Sequence, residues 1–176
     1  MWGKTQQTRF EAMVNPHIGA AYNYARWITR NHQDSEDVVQ EACLRAFKFF
    51  DRFRGEAVRP WLFAIVRNTA YTWLKKNRSL ELPVLIDELP EVSSETSNPE
   101  SLLMQQVDRD LLKQGIENLP LEYREAIVLR ELEGLSYKEI ATIANIPVGT
   151  VMSRLARARA RLQEYLTKPS VEVPFS

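Results

Sequence analysis

Cysteine occurs once, histidine twice and glycine six times in these 176 residues. A single cysteine cannot form an internal disulfide, and Cys43 has no partner at metal-ligand spacing, so it reads as a small buried apolar side chain. His17 and His32 lie far apart with no acidic motif around them and read as surface or cap residues. There is no glycine-rich phosphate loop and no nucleophile–base arrangement, so neither catalysis nor a cofactor is expected. No run of 18 apolar residues suggests a membrane span, and the start, MWGKTQQTRFEAM, lacks the apolar core of a signal peptide. The chain is expected to stay in the cytoplasm.

Net charge is zero, but its distribution is uneven. Residues 1–79 carry 13 Lys/Arg against 7 Asp/Glu, residues 80–118 carry 2 against 9, and residues 119–168 carry 8 against 6. Two basic parts joined by an acidic one suit a bilobed nucleic-acid binder.

The most informative stretch is LSYKEIATIANIPVGTVMSRLARARARL, from Leu135 to Leu162. Ser136 followed by Glu139 forms a capping box that starts a helix. Ile140, Ile143 and Ala144 follow at helical spacing, Asn145 tolerates left-handed geometry, and Pro147 can open a second helix. Val151 and Leu155 give that second helix an apolar stripe, so the stretch is a helix-turn-helix. Val148, Gly149 and Thr150 are small enough for close approach to base edges, while Ser153, Arg154 and Arg157 supply donors for bases and phosphates. Arg161 continues the face of Arg154 and Arg157, and Arg159 points elsewhere, into solvent. The plainer reading is a helical hairpin with an Arg-rich solvated face.

Upstream, a helix is predicted from Phe10 to about Asn31, with Met13, Ile18, Ala21, Ala25 and Ile28 on one side and Pro16 bending or restarting it. A second follows, capped by Asp34 or Ser35, with Val39, Cys43, Ala46 and Phe50 inward and Asp37, Gln40, Glu41 and Arg45 outward. After a turn-rich loop containing Phe53, Arg54 and Gly55, Pro60 suits the first turn of a third helix that buries Leu62, Val66, Thr69 and Trp73. This helix interleaves Trp61, Phe63, Tyr71 and Trp73 with Arg59, Arg67, Asn68, Lys75, Lys76 and Arg78. Stacking platforms among cations are what single-stranded nucleic acid requires, although each aromatic alone is compatible with a core position.

Residues 79–101 contain three prolines, several serines and unpaired acids, and read as an extended linker. Beyond it, Leu102, Leu103, Val107, Leu111 and Ile116 mark a helical region that breaks at Asn118-Leu119-Pro120, and LEYREAIVLRELEG forms a helix ending at Gly134. The expected architecture is therefore all-α. Two small helical domains, 1–79 and 101–168, are joined by an acidic flexible linker at 80–100, with a tail at 169–176 and no further C-terminal domain; the relative placement of the lobes is left open.

In order and spacing, DSEDVVQEACLRAF, FDRFRGEAVRPWLFAIVRNTAYTWLKKNR and LPLEYREAIVLRELEGLSYKEIATIANIPVGTVMSRLARARARL resemble three segments of the bacterial RNA polymerase sigma factors of the extracytoplasmic-function group, within the sigma-70 family. The resemblance runs from about Phe10 to Leu166. It implies that Asp34, Glu36, Asp37, Gln40, Glu41 and Arg45 grip core RNA polymerase. It further implies that Phe53, Arg54 and Gly55 receive a flipped −10 base, and that Arg59, Trp61, Arg67, Asn68 and Tyr71 hold the single strand. Val148, Thr150, Ser153, Arg154 and Arg157 would enter the major groove at a duplex −35 element. Promoter DNA, core polymerase and an anti-sigma factor are the implied partners, with membrane contact only through such a partner. Phe47, Pro60 and the less arginine-rich TWLKKNRS depart from the family pattern.

Two other functions are compatible with parts of this sequence. One is a helix-turn-helix regulator acting on duplex DNA without polymerase, which would need an effector or dimerisation domain in the first lobe. The other is a small helical enzyme using Glu125, Glu131 and His32, which turnover in a nucleotide or ester hydrolysis screen would reveal.

Overall fold

The computed structural model describes residues 2–55, 57–77 and 109–168, and among these every regular element is helical. The linker at 80–100, the helical start predicted around Leu102, Leu103 and Val107, and the tail at 169–176 lie outside the described residues. In chain order the α-helices are α1 (Trp2–Thr29), α2 (His32–Phe49), α3 (Val58–Asn77), α4 (Arg109–Glu117), α5 (Leu121–Ile127), α6 (Tyr137–Ala144) and α7 (Val148–Thr167). A 3-10 turn, Phe50–Arg52, follows α2, and a π turn, Val128–Leu132, extends α5.

Helix α1 starts eight residues before the predicted Phe10 and runs unbroken through Pro16. Pro16 is exposed, so the lost backbone donor leaves no unpaired group in the core. The inward face also includes Phe10, Val14 and Tyr24, while Met13 and Ile18 are only partly buried. Arg30, with φ of 61°, turns the chain out of α1. The cap of α2 is Asn31, whose side chain accepts from the Asp34 backbone N–H at 2.9 Å, and not Asp34 or Ser35 as predicted. Ser35 is instead buried, its hydroxyl donating to the Asn31 carbonyl at 2.6 Å and lying 2.7 Å from the Thr29 hydroxyl.

The first lobe packs α1, α2 and α3 around Val14, Tyr24, Val38, Ala42, Leu62, Phe63 and Val66. Of the predicted α3 stripe, Leu62, Val66 and Thr69 are buried and Trp73 partly so. Val39, Ala46 and Phe50 are buried as expected, whereas Cys43 is half-buried, and burial pushes its thiol pKa up. Each fully buried aliphatic or aromatic side chain contributes about 1.5–3 kcal/mol.

In the second lobe, α4 to α7 enclose Ile116, Ile127, Leu129, Ile140, Ile143, Val151, Leu155 and Leu162. The break at Asn118-Leu119-Pro120 occurs as predicted, and Gly134, with φ of 68°, ends the π turn in a conformation that L side chains rarely adopt. The capping box forms, with Glu139 N–H donating to the Ser136 hydroxyl at 3.1 Å and Ser136 N–H to the Glu139 carboxylate at 3.0 Å. Asn145 is left-handed, with φ of 56° and ψ of 50°, and Pro147 stands at the cap of α7.

The two lobes share one continuous core, with α1 against α5 and α3 against α6. Arg124 and Glu125 of α5 make the polar joint. Arg124 Nε donates to the Trp27 carbonyl at the C-terminal end of α1 at 2.7 Å, and its Nη1 donates to the Leu119 carbonyl at 3.0 Å. Burial pushes the Arg124 guanidinium pKa down to about 10, still well above neutrality, so it carries its charge where carbonyls can satisfy it.

Candidate nucleic-acid interface

Three surfaces carry the residues singled out by sequence, and each is set by helical spacing. On α2, Glu36, Asp37, Gln40 and Glu41 are exposed and Asp34 and Arg45 partly so. Arg45 pairs with Glu41 at 2.9 Å, and Glu36 lies 3.1 Å from exposed His32. The structure adds Leu44, 69% exposed, three and four positions beyond Glu41 and Gln40 on the same face. A large apolar side chain amid polar neighbours is the signal that could have found it.

At the loop after α2, Phe53 stacks on Phe50 at 6.4 Å and tilts against Trp61 at 4.9 Å. A Cβ on Gly55 would meet the Phe53 ring at 3.1 Å, so glycine there accommodates the ring. Arg54 folds back, its Nη1 donating to the Asp51 carbonyl at 2.9 Å. Phe50, Asp51, Phe53 and Arg54, with Thr5, Gln6 and Arg9 of α1, line a cleft of about 450 Å³. Gln6 Nε2 donates to the Asp51 carboxylate, and Arg9 lies 5.5 Å over the Phe50 ring. The N-terminal part of α1 carries no apolar periodicity before Phe10, so the sequence alone does not mark it as helical.

On α3 the five selected residues divide between two faces. Trp61 and Asn68, seven positions apart, share one, and Asn68 is exposed. Arg59, Arg67 and Tyr71, at intervals of eight and four, form a line turned toward the second lobe. Arg59 Nη2 lies 2.5 Å from Glu133 Oε2, and Arg67 Nε donates to Glu125 Oε2 at 2.8 Å. The Tyr71 hydroxyl donates to Glu125 Oε1 at 3.3 Å, and the Arg67 guanidinium lies 4.2 Å over the Tyr71 ring. The buried hydroxyl of Tyr24 donates to Glu125 Oε2 at 2.7 Å. Burial, then Glu125, holds the Tyr24 and Tyr71 hydroxyl pKa values well above the ordinary range, while the Glu125 carboxylate raises that of Arg67 against the cost of burial.

On α7, Val148, Gly149, Met152 and Ser153 are exposed and Thr150 and Arg157 partly so. Ser153 donates to the Thr150 carbonyl at 3.1 Å. Arg154 turns onto α5, pairing with Glu122 at 3.2 Å, and Arg161 lies 5.2 Å over the Tyr123 ring. Arg159, expected in solvent, instead pairs with Glu131 at 2.7 Å. Met152, 53% exposed, was missed by the sequence reading and can present an apolar contact to a thymine methyl group.

Among the described residues, no group of three His, Cys, Asp or Glu side chains is arranged to hold a metal ion, and no helix is long and apolar enough to cross a membrane. The surfaces themselves present carboxylates and Leu44 on α2, cations and rings on α3, and small residues and donors at the start of α7.

Comparison with known proteins places the same segments in one family. The sigma-70 region 2 model matches residues 13–80 and the sigma-70 region 4 model matches residues 109–162. The chain is 44% identical over 134 residues to the ECF RNA polymerase sigma-E factor of Escherichia coli, covering 72% of this chain and 70% of that one. It is 31% identical over 167 residues to the ECF RNA polymerase sigma factor SigE of Mycolicibacterium smegmatis, covering 95% of this chain and 65% of the relative. The chain thus spans about two thirds of the length of these relatives. Among solved structures, it is similar to the sigma factor RpoE in complex with the anti-sigma factor NepR from Bartonella quintana. That match has a TM-score of 0.69 and 30% identity, over 90% of this chain and 96% of that one. It is also similar to CnrH in complex with the cytosolic domain of CnrY, with a TM-score of 0.63 and 27% identity over 91% and 88% of the two chains. Region 2 and region 4 matches in order, together with relatives that cover most of its length, show that the chain belongs to the extracytoplasmic-function group of bacterial RNA polymerase sigma factors.

Proposed function

We propose that the chain is an alternative initiation subunit that binds core RNA polymerase and directs it to promoters with separate −10 and −35 elements. The first lobe, 1–79, binds core and opens DNA, and the second, 101–168, reads the duplex, with the linker at 80–100 between them. The observation that carries this reading is the combination, in one chain, of a capped helix-turn-helix with exposed Val148, Met152 and Ser153 and a separate helix, α3, that interleaves cations with aromatic rings. The first suits a major groove and the second an unpaired strand.

The residue roles follow the surfaces. Asp34, Glu36, Asp37, Gln40, Glu41 and Arg45, with exposed Leu44 one turn beyond Gln40 and Glu41, dock on core polymerase. Phe53, Arg54 and Gly55 receive a flipped base, whose unstacking costs a few kcal/mol that ring stacking and edge hydrogen bonds offset. Arg59, Trp61, Arg67, Asn68 and Tyr71 hold the displaced strand. Val148, Thr150, Ser153, Arg154 and Arg157 read the −35 duplex. Both structural relatives described above are complexes, one named as containing an anti-sigma factor, which supports control of this chain by an anti-sigma partner. The chain works in the cytoplasm and performs no catalysis of its own.

Run-off transcription with purified bacterial core polymerase, on a pool of promoter fragments from the source genome, tests this reading. Transcripts starting at defined sites only when the protein is added are expected. Duplex DNA binding without core binding or transcripts would replace it with the regulator reading.

A further inference from the structure

Where the C-terminal end of α1 meets α4 and the π turn lies a cleft of about 430 Å³, whose cations take no part in the surfaces described above. Helical spacing brings Asn23, Arg26, Trp27 and Arg30 to its α1 wall, and Lys113 lines it from α4. Leu132, 49% exposed, adds an apolar side chain from the π turn. Of the two carboxylates in the lining, Glu133 is already held by Arg59 at 2.5 Å, and Glu117 approaches Lys113 only at 4.0 Å. Among the described residues, the Arg26 and Arg30 side chains have no ion-pair or hydrogen-bond partner. Cations at the end of a helix ordinarily answer its free carbonyls. Here buried Arg124 takes the Trp27 carbonyl at 2.7 Å, and the Arg30 N–H donates to the Arg26 carbonyl at 2.8 Å. The two guanidiniums are therefore spare donors. Arg124 itself is held by carbonyls, and the nearby Arg30 adds to burial in lowering its pKa to about 10. Arg30 also adopts a left-handed backbone, with φ of 61°, which glycine or asparagine accepts at less cost. That strained position sets a guanidinium at the cleft.

We infer that this cleft is a nucleotide site: Arg26, Arg30 and Lys113 hold the phosphates of a nucleoside diphosphate, and the Trp27 ring with Leu132 takes the base. The forked donors of two guanidiniums pair with phosphate oxygens, and the Lys113 ammonium adds a point charge. A bare anion has no use for an aromatic wall and an exposed aliphatic side chain, whereas a base buries its faces on both. The Asn23 amide offers a donor and an acceptor to the edge of that base. The volume falls within the range of about 300–1,000 Å³ usual for small-ligand pockets. Both lobes supply walls, so a bound nucleotide stabilises the assembled chain by mass action. The inference is independent of the promoter and polymerase roles proposed above.

The test uses the full chain without polymerase. Isothermal titration calorimetry measures binding of ADP, GDP, CDP and UDP, with pyrophosphate and the four free nucleosides as controls, and thermal unfolding is followed with and without each. Arg26→Gln, Arg30→Gly and Lys113→Gln are compared with the parent, and circular dichroism checks their helicity. All three positions are exposed, and glycine accepts the left-handed backbone at position 30, so the fold should persist. Saturable binding of at least one diphosphate with a raised unfolding midpoint is the expected result, weaker by about tenfold in each arginine variant. Pyrophosphate should bind less tightly than that nucleotide, and the free nucleosides not at all. Absence of saturable binding by every diphosphate up to about 1 mM would overturn the site. Pyrophosphate binding as tightly as the best nucleotide would replace it with a plain anion site. Undiminished binding in all three variants would remove these cations from it. Duplex DNA binding, measured in parallel, should be the same in parent and variants. Loss of duplex binding in variants of a chain that takes no nucleotide would make the cleft a DNA-phosphate contact instead.

Discussion

Nε of Arg67 lies 2.8 Å from the Glu125 carboxylate across the junction of the two lobes, and the pair is almost fully shielded from water. Burial of two charges is tolerated only where further hydrogen bonds satisfy them, and Tyr24 and Tyr71 supply these. Removal of either kind of partner therefore has a different cost.

Glu125→Ala leaves Arg67 buried with its main acceptor gone, and is expected to destabilise the chain by about 3–5 kcal/mol. Tyr24→Phe keeps the ring stacked on Phe63 at 5.2 Å and loses one hydrogen bond to a charged group, about 1.5–3 kcal/mol. Urea denaturation followed by circular dichroism checks the ranking. Equal midpoints for the two variants would show that Glu125 is not the hub of the joint.

How far this joint could have been read from sequence depends on distance along the chain. The helix-turn-helix was legible because its determinants are local: Ser136 with Glu139, then Asn145, then Pro147. The stripe of Leu62, Val66 and Thr69 was legible for the same reason. Glu125 was noticed only as a candidate catalytic acid, because its partners Tyr24, Arg67 and Tyr71 lie far away in sequence and no spacing rule connects them. Arg154 and Arg161 were placed on an open face from periodicity. The structure turns both onto α5, where Glu122 and the Tyr123 ring compete with solvent for them. Asn31 was missed as a cap because two consecutive capping residues further on, Asp34 and Ser35, offered equally good starts.

Alkali should act on the joint through its tyrosines. Tyr24 and Tyr71 hold their protons well above the ordinary tyrosine range, by burial first and then by the nearby Glu125 carboxylate. A group with a higher pKa folded than unfolded contributes stability that is complete below the unfolded value and is lost as pH rises above about 10. Tyr24 and Tyr71 should therefore ionise only above the ordinary tyrosine range and in step with a loss of helicity. Ultraviolet absorbance of tyrosinate alongside circular dichroism provides the check. Ionisation of Tyr24 and Tyr71 within the ordinary tyrosine range with helicity intact would contradict their burial.

Gly115 allows α4 to lie against α7. A Cβ there would meet Leu162 Cδ1 at 2.7 Å and Tyr165 Cδ1 at 3.0 Å, and Leu162 is buried. Gly115→Ala is expected to lower stability by about 1–3 kcal/mol despite the better helix propensity of alanine. Thermal unfolding would test it, and a raised midpoint would mean that Leu162 and Tyr165 yield without strain.

Asn68 is exposed on α3, away from the joint, so its substitution should not disturb the fold. With core polymerase, Asn68→Ala is expected to leave −35 duplex binding intact and to reduce permanganate reactivity of the opened −10 region. Normal reactivity would remove Asn68 from strand binding and leave Trp61 as the open contact on that face.

Arg154 must exchange one partner for another if it reads the −35 element. Its pair with Glu122, at 3.2 Å and partly exposed, is worth at most about 1 kcal/mol. A bidentate contact to guanine is worth about 1–3 kcal/mol of discrimination against the wrong base. The exchange is therefore favourable on the right sequence and neutral or worse on the wrong one; the pair with Glu122 lowers affinity wherever Arg154 is drawn onto a base, and the discrimination comes from the base contact itself. Arg154→Ala should weaken binding and flatten the preference at one base pair. Glu122→Gln should strengthen binding to all sequences by up to about fivefold, the equivalent of the pair that it removes. Anisotropy titrations against single-base variants of the duplex decide the matter. If Arg154→Ala changes none of them, Arg154 is a structural partner of α5 and base reading falls to Met152 and Ser153.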